Sequence, residues 1–216
     1  MRRIYLIWSL LIVTLSLNGQ ILDSISNDSL KGASHLKQAQ ALVFEAKFQD
    51  ARQEATKALS YFKRTKDTLN KQMAQSYYLL ALSESNLRNI KGALDNYKKS
   101  LDIFMDLEPR NDTTIANLYN NLGVNYGFIA SLDSAEYYHT QALAIRKKLY
   151  SENSKPILAS YQNIGVIQTY SGKYFDAIQS TKKFLAISQV LNGEKSPTTA
   201  KAYNNLGTIY KKLGSY

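Results

Sequence analysis

The chain has 216 residues, 44% of them hydrophobic and 20% charged, a balance that supports a sizeable core and excludes a largely disordered polymer. It contains no cysteine, which excludes a disulfide framework, a thiolate metal site and an acylated-cysteine anchor. The net charge of +10 favours acidic partners or surfaces, but the lysines are spread along the chain instead of clustered, which argues for solvated helix faces and against nucleic acid.

At the start of the chain, Arg2 and Arg3 precede a largely apolar run from Ile4 to Leu17. That is the layout of a secretory signal. The run is short for a bilayer core, which needs ~20 residues, so residues 1–19 read as a cleaved signal peptide, with membrane anchoring as the alternative. Gly19 suits a cleavage site before Gln20, although Leu17 departs from the usual small residue. The expected location is exported, periplasmic or extracellular. Loss of Arg2 and Arg3 would leave 25 basic against 17 acidic side chains. Residues 20–31 are polar and read as a linker.

From residue 32 the chain is periodic. Gly123, Gly165 and Gly207 stand 42 residues apart, and Ala51, Ala93, Ala135 and Ala177 keep a fixed phase to them. Tyr77, Tyr119, Tyr161 and Tyr203 form a third column, and Leu59, Leu101, Leu143 and Leu185 a fourth. Such a period signals stacked supersecondary units, none of which buries its apolar face alone. The repeats read as about 32–73, 74–115, 116–157 and 158–199, with the first helix of a fifth at 200–216.

Within one repeat, Leu118, Tyr119, Leu122 and Tyr126 follow helical spacing, with Gly123 small enough for a second helix to approach. Ala130-Ser-Leu-Asp-Ser then offers turn and capping residues, and Ala135, Tyr138, Ala142, Leu143 and Ile145 mark a second helix. The unit is a helical hairpin. Its pattern, Tyr-Asn-Asn-Leu-Gly-Val-Asn-Tyr followed by Ala135 and Ala142-Leu143, resembles a tetratricopeptide repeat.

The resemblance covers roughly residues 32 to 216 and implies an all-α fold, a right-handed α-solenoid of stacked antiparallel helix hairpins. Its common form has 34 residues; the longer period is similar to the kinesin light chain variety, in which the second helix is longer. The connectors ending at Pro156 and Pro197 agree with that reading. Phe184 replaces the second alanine of repeat four, and repeat two carries Ala81 and Ser100 for the glycine and that alanine. Repeat one is loosest, with His35 and Gln38 where an aromatic and a leucine belong, as in a cap that faces water. The chain stops where the second helix of repeat five should start, which leads us to expect a fragment of a longer protein.

The resemblance also implies a concave groove lined by the first helices, with Asn121, Asn163 and Asn205 pointing into it. Asparagine offers a donor and an acceptor to an extended peptide backbone and has no packing reason to recur there. Neighbouring groove positions are Asn117, Asn120, Val124, Gln162, Val166, Lys201 and Asn204, and Lys201, Lys211 and Lys212 could meet an acidic side chain or terminal carboxylate. The tyrosines read as core. His139 shares a column with Tyr97 and reads as a satisfied packing residue.

No phosphate-binding loop, nucleophile elbow or metal-ligand cluster occurs in the sequence, so neither a catalytic residue nor a cofactor is nominated. The function expected is a non-catalytic protein-protein interaction scaffold whose groove binds a protein or peptide, acidic in one variant. The alternative is the sensory or regulatory arm of a longer enzyme, a CHAT-type caspase-like protease or a sensor histidine kinase. Self-association through an open array end is a third reading. Membrane contact is expected only through the N-terminal signal or a missing C-terminal part.

Overall fold

The structure, a computed structural model, describes residues 26–65, 71–108 and 110–214. The expected signal at 1–19 and the first part of the expected linker lie outside them. The described residues form helices and no strand. In chain order these are α1 (26–44), α2 (Phe48–Phe62), α3 (Lys71–Asn86), α4 (Ile90–Asp106), α5 (Asp112–Phe128), α6 (Leu132–Leu149), α7 (Lys155–Tyr170), α8 (Tyr174–Asn192) and α9 (Pro197–Leu213). None of the described helices is long and apolar enough to cross a membrane. The fold class is all-α, an α-solenoid.

Two compact units divide between Leu87 and Arg88. The first holds α1 to α3, joined by a core of Leu36, Ala39, Ala55, Ala58, Phe62 and Leu79. Helix α1 starts at residue 26, so residues 26–31 are helical where a linker was expected. Packing on α2 accounts for it: buried Gly32 lies so close to Phe62 that a Cβ would stand 2.7 Å from its ring, and Asp28 pairs with Arg64 at 3.9 Å. His35, in the aromatic column, stacks on Tyr61 at 5.5 Å and bonds Glu54 at 2.6 Å, so an imidazole fills a tyrosine's place at a half-exposed end.

In the second unit, α4 to α9 pack each on the next, and α5, α7 and α9 also touch in series. The alanines at the start of the second helices, Ala51, Ala93, Ala135 and Ala177, are fully buried in their respective units. Where the two helices of a hairpin cross, a Cβ on Gly123 would stand 2.8 Å from the His139 ring, and one on Gly165 would stand 2.8 Å from Thr181 Oγ1. Those glycines exist to let helices close. The tyrosine reading needs correction: among described tyrosines only Tyr97 is fully buried, while Tyr137, Tyr170, Tyr203 and Tyr210 are exposed. An aromatic column can keep repeat register at the boundary of the core without entering it.

The turns inside the hairpins are closed by backbone geometry. Ala46, Ala130 and Gly172 have positive φ, and the following amides of Lys47, Ser131 and Lys173 bond the carbonyls of Leu42, Tyr126 and Gln168. This six-to-one closure is a Schellman motif. Ser131 makes no side-chain cap, and its hydroxyl bonds Ser134 instead. True side-chain caps come from Asn89, Asn111 and Ser196, which accept from Gly92, Thr114 and Thr199 amides. The last two lie in connectors, so α5 and α9 begin earlier than residues 116 and 200.

Candidate functional site

Helices α5, α7 and α9 present a groove within the second unit. Its larger part, about 670 Å3, is walled by Val124, Gly127 and Phe128 of α5 and by Gln162, Asn163, Val166, Ile167 and Tyr170 of α7, with Lys201 from α9. Ala130, Leu132 and His139 complete it. A smaller part, about 140 Å3, shares Val166 and Tyr170 and adds Gly165, Thr169, Asn205, Thr208 and Lys212. Among the described residues, no carboxylate lines either part. The site is an apolar trough with amides along it and one ammonium group at each part.

The residues read from sequence distribute unevenly over this surface. Gln162, Asn163, Lys201, Val124 and Val166 line the larger part, and Asn205 and Lys212 the smaller. Asn120 accepts from Asn163 Nδ2 at 3.0 Å, tying α5 to α7 and engaging one amide donor of the expected asparagine row. Asn121 is half-buried, lines neither part, and accepts at its carbonyl from Asn125 Nδ2. Asn117 accepts from Arg146 NH2 at 3.1 Å, and exposed Asn204 accepts at its carbonyl from Thr208. Lys211 is exposed and lines neither part.

Arg146 is a buried guanidinium that also donates to Ser160 Oγ at 2.9 Å and Pro156 O at 3.4 Å, joining α5, α6 and α7. Burial pushes its pKa down. His139 lies on the same helix, 2% exposed, with Nδ1 buried and without a hydrogen-bond partner among the described residues. Burial first, and the Arg146 charge second, push its pKa down to about 4, so the ring is neutral at pH 7. It is therefore buried as expected of a packing residue, but it is not satisfied, and it reaches the groove.

The tetratricopeptide repeat model matches residues 72–148. Residues 72–148 carry tetratricopeptide repeats. Among solved structures, BtubC (BKLC) from P. vanneervenii is similar at 22% identity over 90% of this chain and 84% of that chain, with a TM-score of 0.69. A Podosopora anserina putative kinesin light chain with nearly identical TPR-like repeats aligns over 85% of this chain and 87% of that chain at 15% identity, TM-score 0.71. YrrB, described as a TPR protein with an unusual peptide-binding site, covers 90% and is covered for 84%, at 18% identity and TM-score 0.61. No curated protein matches the chain. The fold is thus that of kinesin-light-chain-like tetratricopeptide repeats.

Sequence reasoning placed Val124 and Val166 in this groove but missed its aromatic walls, Phe128 and Tyr170. Phe128 and Tyr170 stand 42 residues apart at the ends of α5 and α7 and are 52% and 72% exposed. That spacing was a readable signal: aromatic residues in a repeat column that faces water have no packing role to explain them.

Proposed function

We propose that this protein is a non-catalytic interaction scaffold whose α5, α7 and α9 groove binds an extended peptide carrying an apolar side chain and a carboxylate. The observation that carries the reading is charge and shape together: an apolar trough of about 670 Å3 with Lys201, continued by a smaller part with Lys212, and, among the described residues, no acidic one in either. Burying one leucine-sized side chain contributes about 1.5–3 kcal/mol and each neutral hydrogen bond about 1 kcal/mol. Micromolar binding needs about 8 kcal/mol, so an apolar anchor, several amide contacts and an ion pair must act together. The fold likeness to YrrB, whose description names a peptide-binding site, agrees with this use of the surface.

Selection of a displayed random octapeptide library on the purified protein tests the reading. Recovered sequences should be rich in Asp or Glu beside Leu, Ile or Phe, and Lys201→Glu should abolish the acidic preference. Recovery of no consensus, or of one indifferent to Lys201→Glu, would sink it.

A further inference from the structure

The two parts of the groove share a partition. Val166 and Tyr170 of α7 line both, whereas Phe128 of α5 lines only the larger part, about 670 Å3, and Lys212 of α9 only the smaller, about 140 Å3. Tyr170 is the last residue of α7 and is 72% exposed, so its ring stands as a ridge between the two parts instead of filling either. The parts differ in chemistry as well as size. The larger is walled mainly by apolar side chains. In the smaller, the hydroxyls of Thr169 and Thr208 donate to the carbonyls of Gly165 and Asn204 at 2.7 and 2.9 Å, which leaves the Lys212 ammonium and the Asn205 amide to donate to a ligand. Among the described residues, Lys212 is the one charged group lining that part.

We propose that Tyr170 is a specificity-determining residue that fixes a spacing in the bound peptide: a large apolar side chain in the larger part and a short acidic one in the smaller, two residues apart on an extended backbone, with the Tyr170 ring between them. This rests on the peptide-groove reading above. The distances fit. Groups in van der Waals contact with the two faces of one ring, at ~3.5–4.0 Å from each face, stand ~7–8 Å apart. Side chains on one face of an extended chain recur at every second residue, ~6.5–7 Å apart. A separation of one or three residues turns the two side chains to opposite faces, so one of them leaves the groove. Volume assigns the apolar residue to the larger part, and the Lys212 charge assigns the acid to the smaller. This acidic position is additional to the carboxylate that meets Lys201.

The test is the affinity, by fluorescence anisotropy, of labelled octapeptides that all carry Glu beside Leu and place one Asp one, two or three residues from the Leu, in both chain directions. On the wild type, a separation of two should bind about fivefold more tightly than one or three in one of the directions, the worth of one exposed ion pair. Tyr170→Ala should bring the three separations within about twofold of one another, Tyr170→Phe should keep the preference, and Lys212→Glu should remove the advantage of the Asp while leaving binding of the Glu-Leu pair. Each variant is first checked for cooperative thermal unfolding, and the wild-type series needs no variant. Equal affinity at all three separations on the wild type, with Lys201-dependent binding intact, overturns the spacing alone. A preference unchanged in Tyr170→Ala overturns the role of the ring. Absence of Lys201-dependent binding of any peptide by the wild type overturns the groove reading and this inference with it.

Discussion

Burial first, and the Arg146 charge second, disfavour the protonated His139 ring in the folded protein, so it stays neutral down to about pH 4, against 6.5 in an unperturbed chain. The unfolded state therefore takes up the proton first. Stability from this residue is fully present above pH 6.5 and is lost as pH falls from 6.5 towards 4, by about 3 kcal/mol in all. The carboxyls of Glu54 and Glu136 are held low, against the pull of burial, by hydrogen bonds from Lys57 and His35 and from Lys173 and Gln168. Their contributions disappear only below the unperturbed carboxylate value of 4.5. Urea unfolding at pH 7, 6 and 5 should thus show a steady loss that is absent in His139→Leu. An identical slope in the variant would assign the loss elsewhere.

At the scale of the element, the repeat glycines separate by what crosses them. Gly165 faces Thr181 at contact distance, whereas Gly207, at the same phase on α9, meets nothing within 4 Å. Gly165→Ala should destabilise by about 1–3 kcal/mol through overpacking. Gly207→Ala should be neutral or stabilise by up to about 1 kcal/mol, since only helix propensity acts there. Thermal melts of the two variants check the contrast, and a comparable loss in both would mean that something covers α9 in solution. The hairpins were legible because identical packing recurs at each step, so Ala51 and Gly123 announce their roles by phase alone. Helix starts were less so, because Asn111 and Ser196 cap from connectors that carry no repeat pattern. Within the site, Asn163 and Lys201 could be placed by register, but the capture of Asn117 by Arg146 and of Asn163 by Asn120 depends on neighbours 29 and 43 positions away. His139 was hidden by its column, which reads as core in every repeat.

For the molecule as a whole, the surplus of basic side chains would add a long-range attraction to the proposed pairing of an acidic peptide at Lys201 and Lys212. Raising salt from about 0.05 to 0.5 M should weaken binding of a selected acidic peptide several-fold, mainly by slowing association, because the screening length falls to a few ångströms. Stopped-flow fluorescence at the two salt concentrations would show it, and a salt-independent rate would mean that charge plays no part.

The closed turns after α1, α5 and α7 also decide where this chain can be cut and rejoined. Residues 45–47, 129–131 and 171–173 span three positions each, fixed by a left-handed residue and a six-to-one bond, so one added residue there would rotate the next helix out of its seat. The connector at 150–154 is mostly exposed and holds no left-handed residue, whereas at 193–196 Gly193 is left-handed and its carbonyl accepts from Ser196 N and Thr199 Oγ1. A reporter or affinity handle therefore belongs in the 150–154 connector, where the polymer tolerates new material. The hairpin turns act as rivets, and that connector as a joint of the assembly.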